Sequence, residues 1–291
     1  MNRIEFKESG IIPIYKPSGP TSTDVIRKLK RKYKFNKIGH LGTLDPMAEG
    51  ILPIMLNQVT KLAPILDTSK KIYKTVIKFG IETDTNDITG EIINEKTDFS
   101  LERDDLIKAL LDFNGEIDQV PPKYAAVKVN GVRAYKLARE GKEFEIKSKK
   151  VTIYNIELKR FSLPYAEVEI HCSRGTYIRS IIRDIGHNLD IPATMSKLIR
   201  SESSGFSIKE SVSLDNAIED LSNNFIDVES LLSFPIIEIN EFEHGLIQNG
   251  QIPKKINCPE PNYYQLTYNK KISAIFHKEE DKDIKIFKVF K

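Results

Sequence analysis

The residues best suited to chemistry lie together in residues 38–54, IGHLGTLDPMAEGILPI, where one aspartate follows a glycine-containing turn. Pro46 stiffens the backbone directly after this aspartate, Asp45. A carboxylate displayed on such a loop can act as a nucleophile or stabilise a developing positive charge. An Asx-turn, which Asp before Pro commonly starts, is the structural alternative that these residues leave open. Close backbone approach or positive φ is expected at the glycines of this stretch, Gly39, Gly42 and Gly50.

Other groups that could do chemistry are sparse around this loop. Glu49 is the nearest second carboxylate, and a pair of carboxylates is typical of glycosidases. Nothing in the sequence supports an acid role for Glu49, so a small-sugar glycosidase is the weaker interpretation. The histidines lack metal-ligand spacing because they are widely scattered, at His40, His171, His187, His244 and His277. We therefore expect no metal site.

The distribution of charge is more informative than its sum. The 44 basic residues nearly cancel the 41 acidic ones, and the net charge of +3 does not identify a partner. Residues 27–37, RKLKRKYKFNK, contain seven basic residues and no acid. Such a run can neutralise phosphates, or it can be the solvated face of a helix, and charge alone leaves both interpretations open.

Cysteine content and hydropathy indicate a soluble protein of a reducing compartment. Cys172 and Cys258 lie too far apart for a C-x-x-C pair, and a single possible bridge gives little support for a secreted framework. No apolar run approaches the roughly 20 residues that cross a bilayer, and the first ten residues lack the apolar stretch of a signal peptide. We expect a cytoplasmic protein that does not contact a membrane.

Local patterns predict the elements that position the loop. A helix is expected to begin between Thr21 and Asp24, and a strand is expected over Ile72–Ile81, followed by the turn-rich TDTNDITG. The Asn130–Gly131 pair between short β-prone runs predicts a tight hairpin. Apolar stripes at helical spacing are formed by Val25, Ile26, Leu29 and Tyr33, by Leu106, Leu110 and Phe113, and by Ile178, Ile181, Ile182, Ile185 and Leu189.

The order of these elements favours an α+β fold over a doubly wound one. Further strands are expected at Val151–Leu158 and Ala166–Cys172, so the sheet should be mixed and largely antiparallel, with helices flanking it. After about Phe234 the pattern changes to short β-prone runs separated by charged turns. This change predicts a small all-β domain at the C-terminal end.

Several motifs, in order, resemble those of the TruB family of tRNA pseudouridine-55 synthases. Residues 38–54 match every defined position of the G-H-x-G-x-L-D-P-x-A-x-G-x-L-P pattern. YKPSGPTSTDVI, KIYKTVIKFGIETDTNDITG, QVPPKYAAVKVNGVRAYKLAREGK and EIHCSRGTYIRSIIRDIG resemble the other family blocks over about residues 11–205. One mild departure is Ala125, where the family often has serine. HGLIQNGQIP alone gives the tail a weaker resemblance to a PUA-like RNA-binding domain.

The resemblance implies a pseudouridine-synthase-like fold and an isomerase that needs no cofactor. It assigns Asp45 as the catalytic carboxylate, and Arg179, rather than Arg174 or Arg183, as the cation that keeps Asp45 ionised. It also implies that Tyr73 stacks on the target base. The remaining implied substrate contacts are Tyr177 and Leu198 in the uracil pocket, His40 in the space left by the flipped base, and Lys16, which either contacts phosphate or braces the catalytic loop.

The implied substrate is the T stem-loop of tRNA, with the target uridine at position 55. A thumb-like insertion at about 120–150, absent from guide-dependent relatives, implies a stand-alone monomer that uses no guide RNA. The implied domains are a catalytic one, residues 1–229, and a PUA-like one, residues 232–291. The alternative from another class is an RNA-binding or folding factor whose catalysis is dispensable, and replacing Asp45 separates the two.

Overall fold

The computed structural model describes residues 3–67, 70–280 and 282–290. Its strands are Ile4–Glu5 (β1), Gly10–Lys16 (β2), Tyr33–Lys34 (β3), Ile38–His40 (β4), Glu49–Leu56 (β5), Lys71–Phe79 (β6), Ile81–Thr83 (β7), Ile92–Glu95 (β8), Gly115–Gln119 (β9), Lys128–Val129 (β10), Val132–Arg133 (β11), Lys149–Ser162 (β12), Tyr165–Cys172 (β13), Ala193–Ser203 (β14), Phe206–Ser207 (β15), Val212–Ser213 (β16), Ile226–Asp227 (β17), Ile236–Glu238 (β18), Asn262–Tyr268 (β19), Lys271–Lys278 (β20) and Lys285–Val289 (β21).

The α-helices are Ser22–Lys32 (α1), Ala63–Leu66 (α2), Arg103–Leu111 (α3), Ala134–Arg139 (α4), Ile178–Asn188 (α5), Leu214–Glu219 (α6), Val228–Leu231 (α7) and Glu241–Gln248 (α8), and 3₁₀ turns occupy Asn57–Leu62 and Ile208–Glu210. Helix α1 begins where its sequence predicts, because Thr21 and Asp24 form a reciprocal capping box. The predicted apolar stripes of α1, α3 and α5 all pack into one buried cluster with the sheet.

The main sheet has eleven strands, in the order β16-β2-β5-β14-β6-β13-β12-β9, with β15, β17 and β4 paired to β14, β2 and β5. Strand β14 runs parallel to β5, and β16 runs parallel to β2. The other pairs of this sheet among the described strands are antiparallel. The prediction of a mixed, largely antiparallel sheet is therefore confirmed.

The insertion between β9 and β12 contains the predicted hairpin. Strands β10 and β11 are paired through Val129 and Val132, and both residues between them have positive φ, 50° at Asn130 and 83° at Gly131. This pair of left-handed residues is what a two-residue type I′ turn requires. Helix α4 follows, and the chain returns to the sheet at Lys149.

The C-terminal segment forms a separate four-stranded sheet, in the order β18-β19-β20-β21. The predicted small β domain is present as this sheet, but it is not all-β, because α8 packs on it. Asn240 caps that helix, and it forms a capping box with Glu243. A second apolar cluster joins this segment to the main sheet, since Ile275 and Phe290 pack with Ile11 and Ile51.

Candidate active site

A cavity of about 260 Å³ opens where the loop after β4 meets β6, β14 and the start of α5. Its lining brings together five residues singled out from the sequence, which are Asp45, Tyr73, Tyr177, Arg179 and Leu198. These residues come from distant parts of the chain. The fold therefore assembles the predicted site in one place.

Arg179 holds Asp45 through two parallel contacts. The Nε atom lies 2.9 Å from Oδ2, and Nη2 donates to Oδ1 over 3.2 Å. This fork geometry fixes the carboxylate plane as well as its position. Neither Arg174 nor Arg183 takes this role: Arg183 instead contacts Asp184.

Arg179 is itself fixed from behind by the TDTNDITG loop and the insertion. Its Nη1 donates to the Thr85 carbonyl over 2.9 Å and lies 3.6 Å from Asp87 Oδ2, while Nη2 lies 3.4 Å from the Tyr124 carbonyl. Asp87 lies in this loop, and it was not among the residues predicted for the site. Its buried side chain accepts from Thr89, which makes it a rigid second carboxylate for the guanidinium.

The ionisation of Asp45 reflects two opposed effects. Burial raises the pKa of this carboxyl group above its ordinary value, the guanidinium of Arg179 lowers it, and the charge of Asp87 raises it again. About a third of the Asp45 side chain remains exposed to the cavity. Arg179, with a smaller effect from Lys16, favours the ionised form of Asp45, while burial leaves its pKa above the ordinary value.

Aromatic and aliphatic side chains form part of the cavity wall. Tyr73 is buried on β6, where burial raises the pKa of its phenol. Tyr177 precedes the first residue of α5, and Leu198 lies on β14. All three side chains line the cavity together with Asp45.

Lys16 and His40 do not line the cavity. Lys16 is fully buried, and its ammonium donates to the carbonyls of Pro17, Pro20 and Pro46 at 2.8, 2.8 and 3.0 Å. Burial lowers its pKa to about 8. Because these bonds use all three N–H donors, the structure supports loop bracing over a phosphate contact. His40 lies at the end of β4, two residues before the cavity wall begins at Gly42.

Glu49, the second carboxylate considered for a glycosidase, does not face Asp45 in the cavity. It accepts a hydrogen bond from the Tyr15 hydroxyl over 2.8 Å, and it is absent from the cavity lining. The two-carboxylate arrangement that glycosidases use is therefore not formed by this pair.

Arg200 is a buried cation that the sequence analysis missed. Its guanidinium donates to the carbonyls of Ile51 and Gly42 at 2.8 and 3.0 Å, and it contacts that of Thr43 at 3.5 Å. These carbonyls lie on both sides of Asp45 in sequence. Arg200 thus connects the two ends of the loop that carries Asp45 to β14. An isolated arginine in a segment without a predicted element gives no signal for such a role.

Gly50 lets this loop lie against β14. Its φ is +107°, and a Cβ atom there would lie 2.2 Å from the Arg200 carbonyl oxygen. Gly50→Ala is expected to lower the free energy of unfolding by about 3 kcal/mol, since strain and overlap both arise. Urea unfolding monitored by circular dichroism measures this.

The matched control is Gly245→Ala in α8, where an added Cβ meets nothing within 4 Å. Alanine is the better helix former, so a gain of about 0.5–1 kcal/mol is expected. Equal stability changes in the two variants would contradict the close approach of Gly50 to β14.

Within residues 3–67, 70–280 and 282–290, no group of three or more His, Cys, Asp or Glu residues is placed to hold a metal ion. No helix in that part of the chain is long and apolar enough to cross a membrane. Cys172 and Cys258 are both buried and unpaired.

Comparison with known sequences gives a consistent picture. The family model for the N-terminal domain of TruB family pseudouridylate synthases matches residues 30–178. A Clostridium kluyveri protein named tRNA pseudouridine synthase B is 43% identical over 252 residues, covering 85% of this chain and 83% of that protein. A protein of the same name from Clostridium tetani is 42% identical, covering 83% and 84% of the two chains.

Comparison with solved structures supports the fold. A chain from the crystal structure of a Cbf5-Nop10-Gar1 complex superposes with a TM-score of 0.68 at 22% identity, covering 97% of this chain and 84% of that one. A chain from an H/ACA RNP bound to a substrate RNA containing 2′-deoxyuridine gives the same TM-score at 20% identity, with coverage of 97% and 85%. The main sheet and the C-terminal sheet together thus follow a known architecture.

Proposed function

The chain belongs to the TruB family of pseudouridylate synthases, and we propose that it isomerises the T-arm uridine at position 55 of tRNA with Asp45 as its catalytic carboxylate. Isomerisation of uridine to pseudouridine in tRNA follows from the family. The observation that carries the proposed site is the two-contact pairing of Asp45 with Arg179 at a cavity of nucleoside size.

The reaction needs no co-reactant. The N1–C1′ bond of uridine breaks, the uracil turns, and a C5–C1′ bond forms, after which C5 loses its proton and N1 gains one. Attack on C1′, attack on the base and removal of a C2′ proton by Asp45 are three routes that all require an ionised carboxylate. Arg179 supplies the charge that keeps it so.

The walls of the cavity suit a base removed from its stack. Tyr73 is the aromatic group proposed to stack on the uracil, and such stacking contributes about 1–3 kcal/mol per base. Tyr177 and Leu198 complete the pocket around it. His40 is proposed to fill the vacancy in the RNA, since enzymes that act on a base inside folded RNA extrude it first.

The insertion at about 120–150 is proposed to close over the T stem-loop. We also propose that the enzyme is a monomer of the cytoplasm that uses no guide RNA. Residues 1–229 form the proposed catalytic domain, and residues 232–291 form the proposed PUA-like RNA-binding domain. Deletion of residues 232–291 tests the second assignment, because a folded remainder with unchanged tRNA affinity would contradict it.

The exposed basic face of α1 is proposed to bind tRNA phosphates. Lys28 and Arg31 are both exposed on this helix. The double variant Lys28→Gln, Arg31→Gln is expected to reduce the slope of log affinity against log salt by about 1.5, since each phosphate contact contributes about 0.7–0.9. Filter binding at several salt concentrations measures the slope.

Lys108→Gln is the control. Lys108 is an exposed lysine on α3 rather than on α1, and it is paired with Asp105 of the same helix. Its slope should equal that of the wild type. An unchanged slope in the double variant would favour the solvated-face interpretation of α1.

The proposed function is tested with an unmodified tRNA transcript that carries 5-tritiated uridine. Formation of a C5–C1′ bond releases the C5 tritium, so release should occur from the normal transcript and stop when uridine 55 is replaced by cytidine. Release that persists in the cytidine transcript would assign the activity to another uridine.

A further inference from the structure

The insertion leaves and rejoins the main sheet at two residues that face each other. Gln119 ends β9 and Lys149 begins β12, and the two are direct partners in the antiparallel ladder. Both side chains reach the same residue, Tyr177, in the cavity wall. The residues at the two ends of the insertion, Gln119 and Lys149, therefore meet at one side of the base pocket.

Gln119 forms two hydrogen bonds with the backbone of Tyr177. Its carboxamide oxygen accepts from the Tyr177 N–H over 2.8 Å, and its amide nitrogen donates to the Tyr177 carbonyl over 3.1 Å. The Gln119 side chain is buried, so both bonds are shielded from water. These bonds fix the backbone from which the tyrosine ring extends.

Lys149 contacts the ring of Tyr177. Its ammonium lies 4.4 Å from the ring centroid and also donates to the Gly175 carbonyl. A cation at this distance over an aromatic face is attracted by the ring quadrupole. Lys149 is half-buried, whereas its neighbour Lys150 is exposed and paired with Glu116 at 2.6 Å. Of these two adjacent lysines, Lys149 is the one directed at the pocket wall.

We propose that Lys149 is a positioning residue for the isomerisation, which holds the Tyr177 ring in the orientation that the flipped uracil requires. This proposal rests on the proposed function of the same cavity. Lys149 and Gln119 are the end residues of the insertion. A movement of the insertion on contact with RNA would therefore displace Tyr177 in the base pocket. The rate of isomerisation would thereby depend on contact between the insertion and the RNA.

The test compares single-turnover rates at saturating enzyme with the Kd for the same tRNA transcript. Lys149→Met is expected to slow the rate about 2- to 30-fold, which corresponds to the usual strength of a cation–π contact. The Kd and its salt slope should stay at wild-type values. Lys149→Arg should restore most of the rate, because arginine keeps a cation over the ring, and Lys150→Met should behave as the wild type.

A double-mutant cycle with Tyr177→Leu shows whether Lys149 acts through the ring. Lys149→Met should cause no further slowing in the Tyr177→Leu background. Lys149→Gln provides the same comparison if the methionine variant does not fold, as judged by its Tm.

Three results would overturn the proposal. One is full activity of Lys149→Met, and another is additive slowing with Tyr177→Leu. The third is a weakened Kd and a smaller salt slope with an unchanged saturating rate, which would make Lys149 a phosphate contact. Failure of the wild type to release tritium would instead overturn the proposed function itself.

Discussion

Asp45→Asn is expected to abolish tritium release from 5-tritiated uridine in tRNA while leaving tRNA binding intact. Asparagine fills nearly the same space and can still accept from Arg179, so the loop should keep its conformation. It carries no charge, and each candidate route to bond cleavage needs a carboxylate. Loss of a catalytic group of this kind lowers the rate by about 10⁴-fold or more. Single-turnover release and filter binding on the same preparation measure both quantities.

The matched control for Asp45 is Glu49→Gln. Glu49 lies on the same segment, but its carboxylate is bonded to the Tyr15 hydroxyl and does not line the cavity. Its rate should stay within about threefold of the wild type. Equal release by Asp45→Asn and the wild type would show that another carboxylate does the chemistry. Unchanged binding with no release even from the wild type would favour the RNA-binding or folding factor.

Much of the fold follows from local patterns. The capping box of Thr21 and Asp24 starts α1, and the Asn130–Gly131 pair makes the hairpin of the insertion. Such features depend on residues within a few positions of each other, so the sequence displays them directly. The C-terminal segment is not all-β, because Asn240 and Glu243 cap α8, and this local signal is weaker than the β-prone runs around it.

The residues of the site could not be identified from local sequence patterns alone. Asp45 before a proline is equally suited to an Asx-turn, and Arg179 cannot be told from Arg174 or Arg183 by spacing. The resemblance to a family selected these residues, and the structure then brought Asp45 and Arg179 into contact. Neither local sequence patterns nor the family resemblance identified Arg200, because its contacts are with carbonyls about 150 positions earlier in the chain.

Arg179, Arg200 and Lys16 together fix the position of the Asp45 carboxylate and of its loop. Lys16 binds the Pro46 carbonyl beside Asp45, Arg200 binds Gly42 and Ile51 on the two sides of the loop, and Arg179 binds the carboxylate itself. All three cations are buried. Because these contacts are made with the backbone of the loop and with the carboxylate itself, the structure holds Asp45 in position without bound RNA.

Arg179→Lys is expected to slow tritium release at least about 100-fold at saturating tRNA. Lysine keeps the positive charge, but one ammonium cannot contact both oxygens of Asp45 while also bonding the Thr85 carbonyl. Small displacements of a reacting group cause losses of this size. Single-turnover release measures the rate, and circular dichroism checks that the variant folds.

Arg183→Lys is the matched control, one turn further along the same helix, where the guanidinium contacts Asp184 and the Val120 carbonyl outside the cavity. Its rate should remain within about threefold of the wild type. A wild-type rate in Arg179→Lys would mean that charge near Asp45 is sufficient and that the fork geometry is incidental. A large loss in Arg179→Lys with none in Arg183→Lys would show that orientation of the carboxylate, and not only its ionisation, limits the reaction.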